Sequence, residues 1–221
     1  MARLRSFTHG AMPGTELIAA FFLTVVLLAI TPGPGLLYIA AQTVGRGPTA
    51  GWYSALGTHL ASYLHILAAA FGVSLLLQAV PAAYLALKIA GAAYLCWLGL
   101  RFFLAEEPEV VPDQNTAPRT HLRALKESFI VELTNPKSAI FFLAFLPQFT
   151  DGAATFPFWV QIILLGLIAN IIFSLAELCC VFFADQVSSI LRRSKSAGRW
   201  MRRAAGSIMI ALGARLLLSE R

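Results

Sequence analysis

At 221 residues, 58% hydrophobic and 13% charged, with mean hydropathy +0.72, the chain carries more apolar surface than a soluble domain of this size can bury. Soluble chains hold roughly 25% charged residues, so the composition defines a polytopic membrane protein whose principal partner is the lipid bilayer. The net charge of +6 comes from basic residues beside apolar segments, which suits anionic headgroups and gives no aromatic-rich basic face for a nucleic acid.

In chain order, Arg3 and Arg5 precede an apolar run from Leu17 to Ile30 that superficially has the form of a signal peptide. No A-x-A site follows it, so it reads as an uncleaved first span. The run ends in Thr31-Pro32-Gly33-Pro34-Gly35. Proline removes a backbone donor and clashes with the preceding turn, so the segment predicts a broken helix. A second break of the same kind is Thr134-Asn135-Pro136-Lys137-Ser138. In hydrocarbon each freed N–H or C=O costs several kcal/mol unless protein, water or a ligand satisfies it. Paired breaks in two halves of a membrane chain are the sequence sign of a transporter's binding site.

A span needs roughly 20 residues. The candidates are 16–43, 51–77, 82–104, 127–149, 156–184 and 204–218, the last of them short. The expected fold is therefore an all-α membrane protein with six transmembrane helices, helices 1 and 4 being broken by proline. It forms one transmembrane domain over 1–221, with repeat 1 at about 16–104, a cytoplasmic linker at 105–126 and repeat 2 at about 127–218. With the N-terminus outside, the inside loops hold eleven Lys and Arg residues against four outside, the favoured orientation. Should the first segment fail to span, only the N-terminus changes side. Ala90-Gly91 and Leu98-Gly99-Leu100-Arg101 in span 3 have counterparts in Ala205-Gly206 and Leu212-Gly213-Ala214-Arg215. Halves with an odd number of crossings must be inverted, the plan of many secondary transporters. Small residues that merely let helices pack closely are the alternative.

Ionisable residues inside spans are candidates for function. Lys88 lies near a span end and is expected to snorkel. Lys137 is eleven residues from Lys126, roughly 16 Å of helix, too far for its stem to reach the interface. It can hold a substrate carboxylate, pair with Glu132, or cap carbonyls freed by Pro136. Glu132 and Glu177 are candidates for reversible protonation, Glu132 because it adjoins the break. His65 falls on the row Gly57, Ala61, His65, Ala69 and either relays a proton or hydrogen-bonds a neighbouring helix. His59 lies nearer the interface. Asn135 can give an amide to a ligand or to the broken backbone, and Gly33 and Gly35 offer backbone amides to a carboxylate. Substrate binding is thus assigned to Thr31, Pro32, Gly33, Pro34, Gly35, Asn135, Pro136 and Lys137.

Cys96, Cys179 and Cys180 lie in apolar spans and read as buried structural thiols. Acidic residues do not cluster as a metal site requires, and no P-loop, G-x-S-x-G or H-E-x-x-H is present. No cofactor, metal or catalytic set is expected, and the reading is of a transporter. A membrane-embedded enzyme or redox carrier, or a small-solute channel, is the alternative.

Thr31-Pro32-Gly33-Pro34 resembles the TPGP motif of the lysine exporter superfamily, in particular its homoserine/threonine-resistance (LysE/RhtB) branch. Asn135-Pro136-Lys137-Ser138-Ala139, Phe141-Phe142 and Leu146-Pro147-Gln148-Phe149 are similar to that family's NPKA, FF and LPQF motifs. Gly91, Tyr94, Leu95, Gly99 and Arg101 resemble its G-x-x-YL-x-x-x-G-x-R segment, and His65 falls where the family often has a histidine. The resemblance implies export of amino acids or close derivatives across the bacterial inner membrane, driven by the proton gradient, by a homodimer. The chain departs from the family at Gly35, where many members carry an acidic residue. Another carboxylate such as Glu132 then takes that role, or the mechanism differs, or the substrate lacks a second amine.

Overall fold

The computed structural model describes residues 15–104 and 120–218, apart from 74, 77–79 and 194. Every regular element among the described residues is helical. In order they are α1 (Thr15–Ile30), α2 (Pro34–Arg46), α3 (Pro48–Leu67), α4 (Pro81–Leu104), α5 (His121–Leu133), α6 (Pro136–Ile140), α7 (Phe158–Arg193) and α8 (Lys195–Leu218). A π turn, Ala68–Val73, extends α3, and Phe141–Phe145 and Leu146–Phe149 extend α6 as π and 3₁₀ turns.

Both proline segments interrupt a helix where the sequence predicts. Thr15–Ile30 and Pro34–Arg46 meet at 43°, and His121–Leu133 and Pro136–Phe149 meet at 49°. Each second half starts with proline at its first position, where the missing N–H would have no helical partner anyway. Gly47 then turns the chain into α3 at φ 89°, a backbone region closed to most side chains.

Among the described residues, three helices are long and apolar enough to cross a membrane: Pro48–Val73, Ala82–Leu104 and Phe158–Ala184. Counting each bent pair as one span raises this to five. The last helix differs from its expected range: it starts at Lys195 rather than 204, and its first turns carry Arg199, Arg202 and Arg203. The second half likewise begins its helix at His121, so Arg123 and Lys126 ride on α5 instead of a linker. Residues 1–14 and 105–119, which hold Arg3, Arg5 and most of the expected linker, lie outside the described residues.

Apolar side chains are exposed on the outside, and a polar stripe lies buried beside an apolar core of residues such as Phe21, Phe142 and Phe145. Leu23, Ile30, Leu104, Phe182 and Leu218 are exposed, whereas Ser54, Thr58, Ser62 and His65 are buried along one face of α3. This suits lipid, where exposed polar groups find no partner. Lys88 corrects its expectation: it is 6% exposed and engaged inside the protein, not reaching toward an interface. The cysteines are also corrected, since Cys179 is exposed and Cys96 and Cys180 are half-buried; all three are free thiols.

The helices sort into two packed groups. α3 lies along α5, with α2 and α7 against it, while α4 lies along α8. The α4–α8 contact depends on missing side chains. A Cβ on Gly99 would stand 2.7 Å from the Gly206 carbonyl oxygen, and one on Gly206 would stand 2.7 Å from that of Gly99. Arg215 on α8 reaches α1, donating from Nη1 to Thr24 Oγ1 at 3.1 Å while lying 5.3 Å from the Phe149 ring centre.

Candidate functional site

The two breaks meet. Pro32 has no N–H, so the carbonyl of Leu28, four residues earlier, loses its helical donor. The Thr31 N–H partly replaces it at 3.2 Å. The remaining donor comes from the other break: Lys137 Nζ donates to Leu28 O at 2.9 Å and to Thr31 O at 2.7 Å. The capping role foreseen for Lys137 therefore falls on carbonyls opened by the first break, not on those opened by Pro136. The first break thus contributes carbonyls, where amides were the expected groups. A lysine ammonium has three N–H donors, and the third remains for the cavity that Lys137 lines.

The second break is organised by Asn135. As the N-cap of α6, its Oδ1 accepts from the Lys137 backbone N–H at 3.0 Å. Its Nδ2 donates to Glu132 Oε2, also at 3.0 Å. Ser138 Oγ donates to the other oxygen, Glu132 Oε1. Each oxygen of this buried carboxylate is held, so its orientation is fixed. His65 Nε2 stands 3.2 Å from the Glu132 backbone oxygen, and its ring stacks on Phe142 at a centroid distance of 5.8 Å. Of the two roles foreseen for His65, the geometry supplies the helix-to-helix bond.

A cavity of about 50 Å³ opens between the breaks. Thr31, Gly33, Gly35, Glu132, Asn135, Lys137 and Glu177 all line it. Pro32, Pro34 and Pro136 shape the backbone but do not line the cavity, and His65 stands one bond behind its wall. Glu177 enters from α7. Leu28, Ala29, Leu36, Phe141 and Phe173 also line it, so that apolar groups are present beside the polar ones. Phe141 and Phe173 meet edge to face at 5.2 Å. A cavity needs about 10–15 Å³ to admit a single water, so this space holds only a few.

Sequence reasoning missed Ser62, Ser138, Phe141 and Phe173 as lining residues. Ser62 had a legible signal: Ser54, Thr58, Ser62 and His65 recur at helical spacing and form a polar stripe on an otherwise apolar span. His59 is drawn into a different cluster, with Ser174 Oγ at Nδ1 and Tyr63 OH 2.9 Å from Nε2.

Broken helices whose ends enclose a small two-signed cavity inside an apolar bundle define a membrane translocator architecture. Residues 26–220 match the LysE type translocator family, and the chain belongs to that family. It is a transport protein and not an enzyme. It is 27% identical over 201 residues to an uncharacterised membrane protein of Pseudomonas aeruginosa, covering 89% of this chain and 92% of that one. It is 29% identical over 204 residues to a homoserine/homoserine lactone efflux protein of Salmonella typhi, covering 91% and 96%. A leucine efflux protein of an Enterobacter species is 31% identical over 145 residues, 64% of each chain. No solved structure matches the chain significantly.

Proposed function

We propose that the protein exports amino acids or close derivatives across the bacterial inner membrane by proton antiport. The observation that carries this reading is the cavity lined together by Lys137, the two carboxylates Glu132 and Glu177, and the apolar residues Leu36, Phe141 and Phe173. A zwitterion with an apolar side chain is the complementary ligand. Its carboxylate meets the third N–H of Lys137 and the Gly33 and Gly35 amides, and its ammonium meets a carboxylate. Thr31, Pro32, Gly33, Pro34, Gly35, Asn135, Pro136 and Lys137 form the binding set in this reading. Proton and substrate ammonium then compete for Glu132 or Glu177, and that competition couples the two flows. Relatives named for leucine and for homoserine efflux point to the same substrate class.

In the same reading α8 is the sixth span and the halves are inverted repeats. Two packing features support this. α3 packs on α5 while α1 packs on α7, the exchange of partners expected when equivalent helices trade places. α4 and α8, the third helices of each half, pack on one another through Gly99 and Gly206. Assembly as a homodimer belongs to the proposal as well.

Vesicles containing the purified protein and loaded with labelled leucine or homoserine test it. Saturable efflux that accelerates when an inward proton gradient is imposed is expected. Efflux of no amino acid under any gradient would overturn the proposal, and conversion of the label without transport would favour an enzyme instead.

A further inference from the structure

The end of α1 has the chemistry of a cation site. Pro32 deprives Leu28 O of its helical donor, and the extended backbone at Gly33, with φ −135° and ψ 175°, turns the chain away before Thr31 O can find one. Two carbonyl oxygens from one chain end therefore converge on a single positive group, the Lys137 ammonium, at 2.9 and 2.7 Å. Unwound carbonyls at the end of a half-helix coordinate cations in broken-helix transporters, and the negative end of the helix dipole adds to the attraction. Here the cation is covalently tethered to the other break. Gly33 leaves room for the tether, since a Cβ on it would stand 3.2 Å from Lys137 Cδ.

We infer that the end of α1 is a monovalent-cation site whose resident ion is the Lys137 ammonium, and that the site takes a small primary ammonium ion when that side chain is removed. On the export reading proposed above, this deepens the site's regulation. A ligand carboxylate bound at the third N–H draws the ammonium toward the cavity and away from Leu28 O and Thr31 O. Occupancy thereby weakens the link between α1 and α6. The ammonium is a switchable tie and not only a binding group.

The test uses full-length protein in detergent, with thermal unfolding as the readout. Lys137→Ala opens the site; Lys137→Met fills the same space without charge; Lys137→Arg restores a cation. Both Ala and Met variants are expected to melt below the wild type, with Arg between Met and wild type. Millimolar ethylammonium is expected to raise the melting temperature of Lys137→Ala by about 2–4 °C while leaving Lys137→Met and the wild type unmoved. Tetramethylammonium, which has no N–H, serves as the control for ionic strength. Sodium acting in place of ethylammonium also supports a cation site. Indifference of Lys137→Ala to every cation overturns the inference. If Lys137→Ala does not fold, equal melting of Lys137→Arg and Lys137→Met overturns it, and a higher-melting Arg variant supports it. The readout needs no transport. An ammonium effect in a protein that moves no amino acid would keep this inference and sink the export reading.

Discussion

Gly35 and Glu132 share one space: a methyl group added at Gly35 would fall on Glu132 Oε2. The neighbouring glycine has the same relation to the other charge of the second break, since a Cβ on Gly33 would lie 3.4 Å from Lys137 Nζ. The two glycines of the first break are thus the seats of the two charged side chains of the second.

Gly35→Ala should therefore damage the site more than Gly33→Ala. Glu132 cannot swing aside without giving up Asn135 and Ser138, a cost of about 1–3 kcal/mol. Lys137 has a flexible stem, and a shift of a few tenths of an ångström accommodates the methyl group at Gly33. Melting temperatures of the two variants measure the difference. Equal losses would mean that Glu132 is not fixed in place.

Glu132→Gln should separate binding from coupling. The amide oxygen can still accept from Asn135 Nδ2, and the Ser138 hydroxyl can turn to accept from the new NH2 group. The fold should survive with a loss of about 1 kcal/mol or less. Acceleration of efflux by a proton gradient should disappear while exchange of labelled for unlabelled substrate persists. Gradient-driven efflux at the wild-type rate would assign coupling elsewhere, with Glu177 next in line.

Replacing His65 with phenylalanine keeps the stack on Phe142 and removes the bond to the Glu132 carbonyl. The expected cost is about 1 kcal/mol of stability, with gradient-driven efflux retained. Loss of that efflux in a folded variant would instead make His65 a proton carrier.

Gly206→Ala places a methyl group 2.7 Å from a backbone oxygen of α4, which no rotamer change relieves. Such overpacking costs about 1–3 kcal/mol. Because α4 and α8 lie outside the cavity, efflux per folded molecule should be unchanged while melting temperature falls. A variant that melts normally would show that the two helices are not held at this distance.

The breaks were legible because proline acts locally, whatever the tertiary context. Their contents were legible as residue types, but their pairing was not. Nothing near Lys137 in sequence indicates that its ammonium ends on Leu28 and Thr31. Against the family's pattern Gly35 reads as a missing carboxylate, yet in the folded chain its lack of a side chain is what admits Glu132. Lys88 shows the reverse limit: its place near a span end suggested an interfacial charge, and tertiary burial overrode that. The last helix was underestimated because its first turns are basic, and hydropathy alone cannot tell a polar helical extension from a loop.

The tie between Lys137 and the end of α1 also constrains how the protein is made. The ammonium that satisfies Leu28 O and Thr31 O lies 109 and 106 residues downstream of them. While the ribosome is still completing the first three helices, Leu28 O has only the Thr31 N–H at 3.2 Å and neither carbonyl has the ammonium, and a carbonyl left without a donor in hydrocarbon costs several kcal/mol. The first bent pair therefore lacks that donor until the second break is synthesised. Each half is then expected to depend on the other, so that co-expressed halves are recovered together and a half expressed alone is not.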